Sequence, residues 1–98
     1  MNMREIQKMQ QKLMKMQEDL ESKLFTGTAG GGAVTITMSG KFELTDVKID
    51  PEAFSAEDIE ELEVMVKAAA KDAFDRATEA QQKLVSNATG GMRIPGMF

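Results

Sequence analysis

The chain has 98 residues, of which 42% are hydrophobic and 29% charged, so it suits one compact domain rather than two. It contains no cysteine and no histidine, which excludes disulfides, Cys/His zinc sites and Ser-His-Asp catalysis. Most enzyme classes are thereby removed, and we expect a protein that is not an enzyme and needs no cofactor. The net charge of −4 argues against nucleic-acid binding unless the charges are unevenly placed.

A first long helix is predicted between Met3 and Leu24. Apolar residues recur there every three or four positions, as Ile6, Met9, Leu13, Met16, Leu20 and Leu24. No glycine or proline occurs before Gly27, and good helix formers fill the segment.

Three strands are predicted next, because the apolar period changes to two. The first, weaker strand runs from Phe25 to the glycine turn at residues 30–32, and the second carries Val34, Ile36 and Met38 on one face. After a turn at Gly40-Lys41, the apolar residues Phe42 and Leu44 occupy even positions, whereas Val47 and Ile49 occupy odd positions. This shift predicts a bulge at Thr45-Asp46.

A second long helix is predicted to start with Ser55 as N-cap and Asp58 three residues later, flanked by Phe54 and Ile59 as a hydrophobic staple. Its apolar stripe comprises Ile59, Leu62, Val66, Ala69, Ala73, Ala77, Ala80 and Leu84. It should end near Ser86. The sequence thus predicts an α+β fold of order α-β-β-β-α, with a three-stranded antiparallel sheet, a single domain over residues 1–89 and a flexible C-terminal tail over residues 90–98.

Positive charge is concentrated on the first helix. Four cations fall within about 80° of one another on a helical wheel, away from the apolar stripe, and we call them the basic ridge: Arg4, Lys8, Lys12 and Lys15. Residues 1–17 carry a balance of +3, whereas residues 43–63 carry −8. The ridge is either an anion-binding surface or an ordinary solvated helix face.

Three other features have simpler explanations than a reactive site. The acidic residues at 57–63 suit the positive end of a helix dipole better than a metal site, so no metal is assigned. The glycines at 30–32 lack the Lys and Ser/Thr of a phosphate loop and suit a tight turn. The nine methionines favour core or interface filling, with a promiscuous peptide groove as the alternative.

Two expectations concern the surroundings of the protein. The N-terminal residues do not form a basic segment followed by an apolar run, and no apolar stretch is long enough for a membrane span, so we expect no membrane association and a cytoplasmic location. A chain this short without disulfides buries only a modest core, which favours a homodimer.

The chain resembles the YbaB/EbfC family over nearly its whole length. Three segments in this order carry the resemblance: residues 30–41 (GGGAVTITMSGK), residues 47–52 (VKIDPE) and residues 90–98 (GGMRIPGMF). The resemblance implies an α-β-β-β-α homodimer shaped like tweezers, located in the nucleoid. It also implies binding to duplex DNA with limited sequence preference, affecting nucleoid organisation or gene expression.

The resemblance places DNA contacts on the first helix and at the end of the second. In this chain those regions offer the basic ridge, Arg4, Lys8, Lys12 and Lys15, together with Lys83 and the weaker candidate Arg76. The rival hypothesis is a dimeric adaptor that binds an unknown protein partner through its apolar tail or its methionine-bearing helix.

Overall fold

The computed structural model describes residues 2–88. The elements are α1 (Met3–Ser22), β1 (Leu24–Ala29), β2 (Val34–Ser39), β3 (Leu44–Ile49) and α2 (Ile59–Ala88), with short 3₁₀ turns at Gly30–Gly32 and Ala56–Asp58. The predicted α-β-β-β-α order is therefore confirmed. The predicted tail at residues 90–98 lies outside the described residues.

The three strands form one antiparallel sheet in the order β1-β2-β3. Val34, Ile36 and Met38 of β2 are buried, as their alternation predicts, and they pack against Ala69 and Ala73 of α2. Since α2 packs against β1 and β2, the core lies between this helix and the first two strands.

Gly27 of β1 allows α2 to approach the sheet closely. A Cβ atom at this position would collide with the backbone oxygen of Ala69 and the backbone nitrogen of Ala73. The helix contributes alanines at the contact, and Ala69, Ala73 and Ala77 are fully buried. Small residues on both sides thus let two backbones touch.

The glycine turn and the bulge are where the sequence predicts them. Gly30, Gly31 and Gly32 all have positive φ, of 63°, 66° and 98°, which residues with a Cβ rarely adopt. Between β2 and β3 the register passes from Thr37 opposite Asp46 to Met38 opposite Leu44. The bulge therefore leaves Thr45 without a partner in the ladder. As a result, the apolar residues before and after Thr45 lie on the same face of the sheet.

Two residues of the predicted apolar stripes lie elsewhere. Leu24 does not continue the first helix, because Lys23 is extended (φ −73°, ψ 145°) and Leu24 pairs with Ser39 as the first residue of β1. Ile59 is not on the buried face of α2; it is exposed in the first turn of that helix. The helix itself runs two residues past the predicted end at Ser86.

The start of the second helical segment is capped as predicted. The backbone N–H of Ser55 donates to Oδ2 of Asp58 over 2.9 Å, and the Ser55 hydroxyl donates to the same oxygen over 3.0 Å. These bonds favour the charged carboxylate and hold the pKa of Asp58 below its usual value, the backbone bond having the larger effect. The cap begins a 3₁₀ turn that leads directly into α2.

Candidate nucleic-acid interface

The first helix projects from the rest of the molecule. The side chain of Asn2 caps it by accepting a 2.9 Å hydrogen bond from the backbone N–H of Glu5. Residues 3–15 are all exposed, and contact with the remaining structure begins with the half-buried Met16 and Leu20. Because α1 is attached only by its C-terminal turns, its N-terminal half is accessible on every side in the single chain.

All four residues of the basic ridge are exposed on this projecting part of α1. Within residues 2–88, none of the four forms an ion pair with a carboxylate. A cation that has no internal partner gives up no protein contact when it meets a phosphate. The arrangement is therefore a line of positive charge, unpaired within residues 2–88, along about three turns of helix.

The two predicted cations on α2 are in a different situation. Nε of Arg76 lies 3.2 Å from Oδ1 of Asp72, and Nζ of Lys83 lies 3.5 Å from Oε1 of Glu79. Both pairs join residues four apart on the exposed surface of the helix, where an ion pair contributes little stability. Lys83 can therefore exchange its carboxylate partner for another anion at small cost, and Arg76 can meet an anion with its terminal nitrogens while Nε stays on Asp72.

The C-terminal turn of α1 meets the C-terminal half of α2. A groove between them has a volume of about 350 Å³, with Met16 and Leu20 on one wall, Ala80 and Leu84 on the other, and Lys83 at its edge. Lys83 thus lies beside the C-terminal end of α1, whereas residues 3–15, which carry the ridge, extend past this contact.

Gly40 anchors this end of α1 to the sheet. Its backbone N–H donates to the carbonyl of Lys23 over 3.0 Å, and its own carbonyl accepts from Nε2 of Gln81 over 2.9 Å. A Cβ at Gly40 would collide with the carbonyl of Leu20. The direction in which α1 projects is therefore set where α1, β2 and α2 meet.

One cation near this junction is not among those predicted. Lys23 follows the last residue of α1 and lines the same groove as Lys83, and its Nζ lies 5.9 Å from the centre of the Phe25 ring. Its position after the ridge, at the end of the helix, is a signal in the sequence. Only the packing of α1 on α2 shows that it joins the cations of the second helix.

Negative charge is concentrated at the other end of α2. The first turns contain Glu57, Asp58, Glu60 and Glu61, which complement the positive end of the helix dipole as predicted. Glu60 and Lys83 are separated by about 35 Å of helix, at 1.5 Å per residue. The acidic start of α2 is therefore far from the cation at its other end.

Residues 2–88 contain neither a cluster of metal ligands nor a helix that could span a membrane. No group of three or more carboxylates converges closely enough to hold a metal ion in this part of the chain. Neither α1 nor α2, over the stretch that the structure describes, is long and apolar enough to cross a membrane.

Known proteins are similar to this chain in sequence and in fold. The model of the YbaB/EbfC DNA-binding family matches residues 1–92. A nucleoid-associated protein of Pelotomaculum thermopropionicum is 38% identical over 96 residues, covering 98% of this chain and 91% of that protein. Another, from Clostridium botulinum, is 45% identical over 96 residues and covers 98% and 85%.

An uncharacterized protein from Helicobacter pylori has a similar solved structure, with a TM-score of 0.75 over 92% of this chain and 99% of that one. At 24% identity it shows the fold alone. The resemblance found in the sequence is confirmed: the chain belongs to the YbaB/EbfC DNA-binding family.

Proposed function

We propose that this protein is a nucleoid-associated protein that binds duplex DNA as a homodimer, with little sequence preference. The observation that carries the proposal is the basic ridge, four exposed cations on a projecting helix that form no ion pair with any carboxylate of residues 2–88. Relatives named nucleoid-associated proteins support a location on the bacterial chromosome and an effect on nucleoid organisation or gene expression.

Contact with phosphates rather than with bases accounts for the low sequence preference. Lysine and arginine side chains on an exposed ridge can follow the regular negative charge of the DNA backbone. Phosphate contacts carry no sequence information directly, so binding should be similar on unrelated duplexes and should weaken steeply as salt is added.

The dimer is supported by apolar surface that the single chain leaves uncovered. Leu44, Val47 and Ile49 of β3 are 56%, 47% and 43% exposed, although they lie opposite the buried residues of β2. Cross-strand partners share a face of the sheet, so these three side chains extend the core face beyond the reach of α2. The Phe42 and Phe74 rings, 5.2 Å apart and both exposed, continue the same surface.

We expect a second copy of the same chain to cover this surface. β3 is also an edge strand, and edges that carry exposed apolar residues favour pairing with another chain. Two-fold pairing would present two projecting first helices, and hence two basic ridges, to one DNA molecule.

The test is a charge reversal of three ridge residues, Lys8, Lys12 and Lys15, each changed to Glu. Glutamate forms helices almost as well as lysine, so the helix content should remain while the surface potential changes sign. We expect mobility shifts on unrelated duplexes, measured at two salt concentrations, to disappear for all sequences alike.

The matched control reverses three exposed lysines elsewhere: Lys41, Lys67 and Lys71. This variant has the same net charge as the ridge variant and should retain most of the binding. Circular dichroism and light scattering confirm that both remain folded and in the same oligomeric state. Equal loss in both variants would show that only overall charge matters, and undiminished binding by the ridge variant would place the DNA surface elsewhere.

The adaptor function is a second candidate. It is favoured by Met3, Met9 and Met14, which are exposed on α1 and could fit an apolar partner. The tail that it would also use lies outside the described residues. If the parent protein fails to shift any duplex at low salt, the adaptor becomes the better proposal.

A further inference from the structure

We propose that an open hollow between β1 and α2 binds a phosphate group through Lys23, the backbone N–H of Thr26 and Arg76. The hollow has a volume of about 560 Å³, and Lys83 and Glu79 also line it. The use of this hollow for a DNA phosphate rests on the proposed function, whereas its affinity for phosphate does not.

The outer edge of β1 supplies a backbone donor. β1 pairs with β2 on one side only, and the N–H of Thr28 points away from β2, donating to Oδ2 of Asp72 over 3.1 Å. Alternate residues of an antiparallel edge strand direct their N–H groups to the same side. The N–H of Thr26 therefore also points outward, at a residue that lines the hollow.

Asp72 positions Arg76 beside this edge. One carboxylate oxygen of Asp72 accepts from Thr28, and the other accepts from Nε of Arg76 over 3.2 Å. The guanidinium is thus tied to the strand through a carboxylate that both elements share. The bond occupies Nε, and the two terminal nitrogens are the ones that form paired hydrogen bonds with phosphate oxygens.

The charges that line the hollow favour an anion. Lys23, Arg76 and Lys83 are opposed by Glu79 alone among the lining residues, which leaves a net charge of +2. Glu79 pairs with Lys83 at the surface, and an exposed pair of this kind is easily exchanged. The ring of Phe25 lies beneath the ammonium group of Lys23 and limits its freedom.

The hollow lies beyond the C-terminal end of the helix that carries the basic ridge. Lys23 follows Lys15 by eight residues, about 12 Å along the helix axis. A DNA strand that follows the ridge could therefore place a later phosphate in the hollow. This would join the cations of α1 and α2 into one binding path.

The first experiment compares Lys23→Gln with Lys71→Gln in DNA binding. Both changes remove one exposed lysine, and Lys71 pairs with Asp75 on another flank of α2. We expect Lys23→Gln to make the plot of log binding constant against log salt concentration less steep by about 0.9, the contribution of one phosphate contact. This change corresponds to roughly eightfold weaker DNA binding at 0.1 M salt. Lys71→Gln should leave both quantities unchanged.

The second experiment follows backbone amide signals of the full-length protein by NMR. Titration with inorganic phosphate, and separately with a short duplex, should shift the Thr26 amide in the parent but much less in Lys23→Gln. The amide of Gly31, in the turn that follows the other end of β1, serves as the internal reference.

The outcomes separate the two proposals. If the parent binds DNA but Lys23→Gln matches Lys71→Gln and Thr26 does not shift, the hollow is overturned and the ridge stands. If the parent binds no DNA, the proposed function fails, and the phosphate titration alone decides the hollow: a saturable Thr26 shift supports it, and no shift overturns it.

Discussion

At the scale of single residues, the missing side chain at Gly27 allows α2 to approach the sheet at backbone contact. The backbone atoms that a Cβ would meet belong to Ala69 and Ala73, which are held in the middle of α2 and cannot rotate away. A methyl group there can be accommodated only by moving the helix away from the sheet, which would open the core around Val34 and Ile36.

We therefore predict that Gly27→Ala lowers the free energy of unfolding by about 3 kcal/mol, at the upper end of overpacking effects. Gly31→Ala is the control, because a Cβ there meets no atom within 4 Å and only the positive φ of 66° opposes it, at about 1 kcal/mol. Urea unfolding at one fixed protein concentration measures both variants. A smaller loss at Gly27 than at Gly31 would contradict the close approach.

At the scale of elements, the cap at Ser55 and Asp58 makes the free energy of unfolding depend on pH. The bonds from Ser55 keep the pKa of Asp58 below its unfolded value of 3.8. A carboxyl group whose pKa is lower in the folded state stabilises the fold above its unfolded pKa. This contribution is lost as the pH falls below about 4 and through the folded pKa.

We accordingly predict that Asp58→Ala reduces the free energy of unfolding at pH 7 and that its difference from the parent narrows at pH 3. Glu63→Ala is the control, because it removes a carboxylate from the same helix that does not contact the cap. Denaturant unfolding of the three proteins at both pH values provides the comparison. A difference that is equal at pH 3 and pH 7 would show that the charge of Asp58 is not involved.

At the scale of the whole molecule, the elongated shape and the uncovered apolar surface both support the proposed homodimer. The described part of the chain measures 65 × 26 × 16 Å, far from a sphere, because α1 and α2 extend beyond the sheet that joins them. A single copy leaves the apolar face of β3 and the stripe of α1 in contact with water. We therefore expect a partner chain or a ligand to cover the projecting first helix.

For this reason we predict that Val47→Glu converts a dimer into a monomer at micromolar concentration, since it places a charge in the middle of the uncovered sheet face. Lys48→Glu is the control on the same strand, with its side chain on the opposite face. Light scattering should give twice the mass of one chain for the parent and for Lys48→Glu, and 10.8 kDa for Val47→Glu. A parent mass of one chain would remove the dimer and the paired ridges.

The sequence by itself determined the element order, the buried face of β2, the bulge at Thr45, the cap at Ser55 and the exposure of the basic ridge, because periodicity, glycine geometry and capping act within a few residues. Other features depend on contacts between residues far apart in the chain. The end of α1 before Leu24 depends on the pairing of Leu24 with Ser39. The exposure of the β3 face follows from how α2 lies across only two of the three strands. Only the tertiary structure could decide them, since no local pattern specifies which strand a helix leaves uncovered.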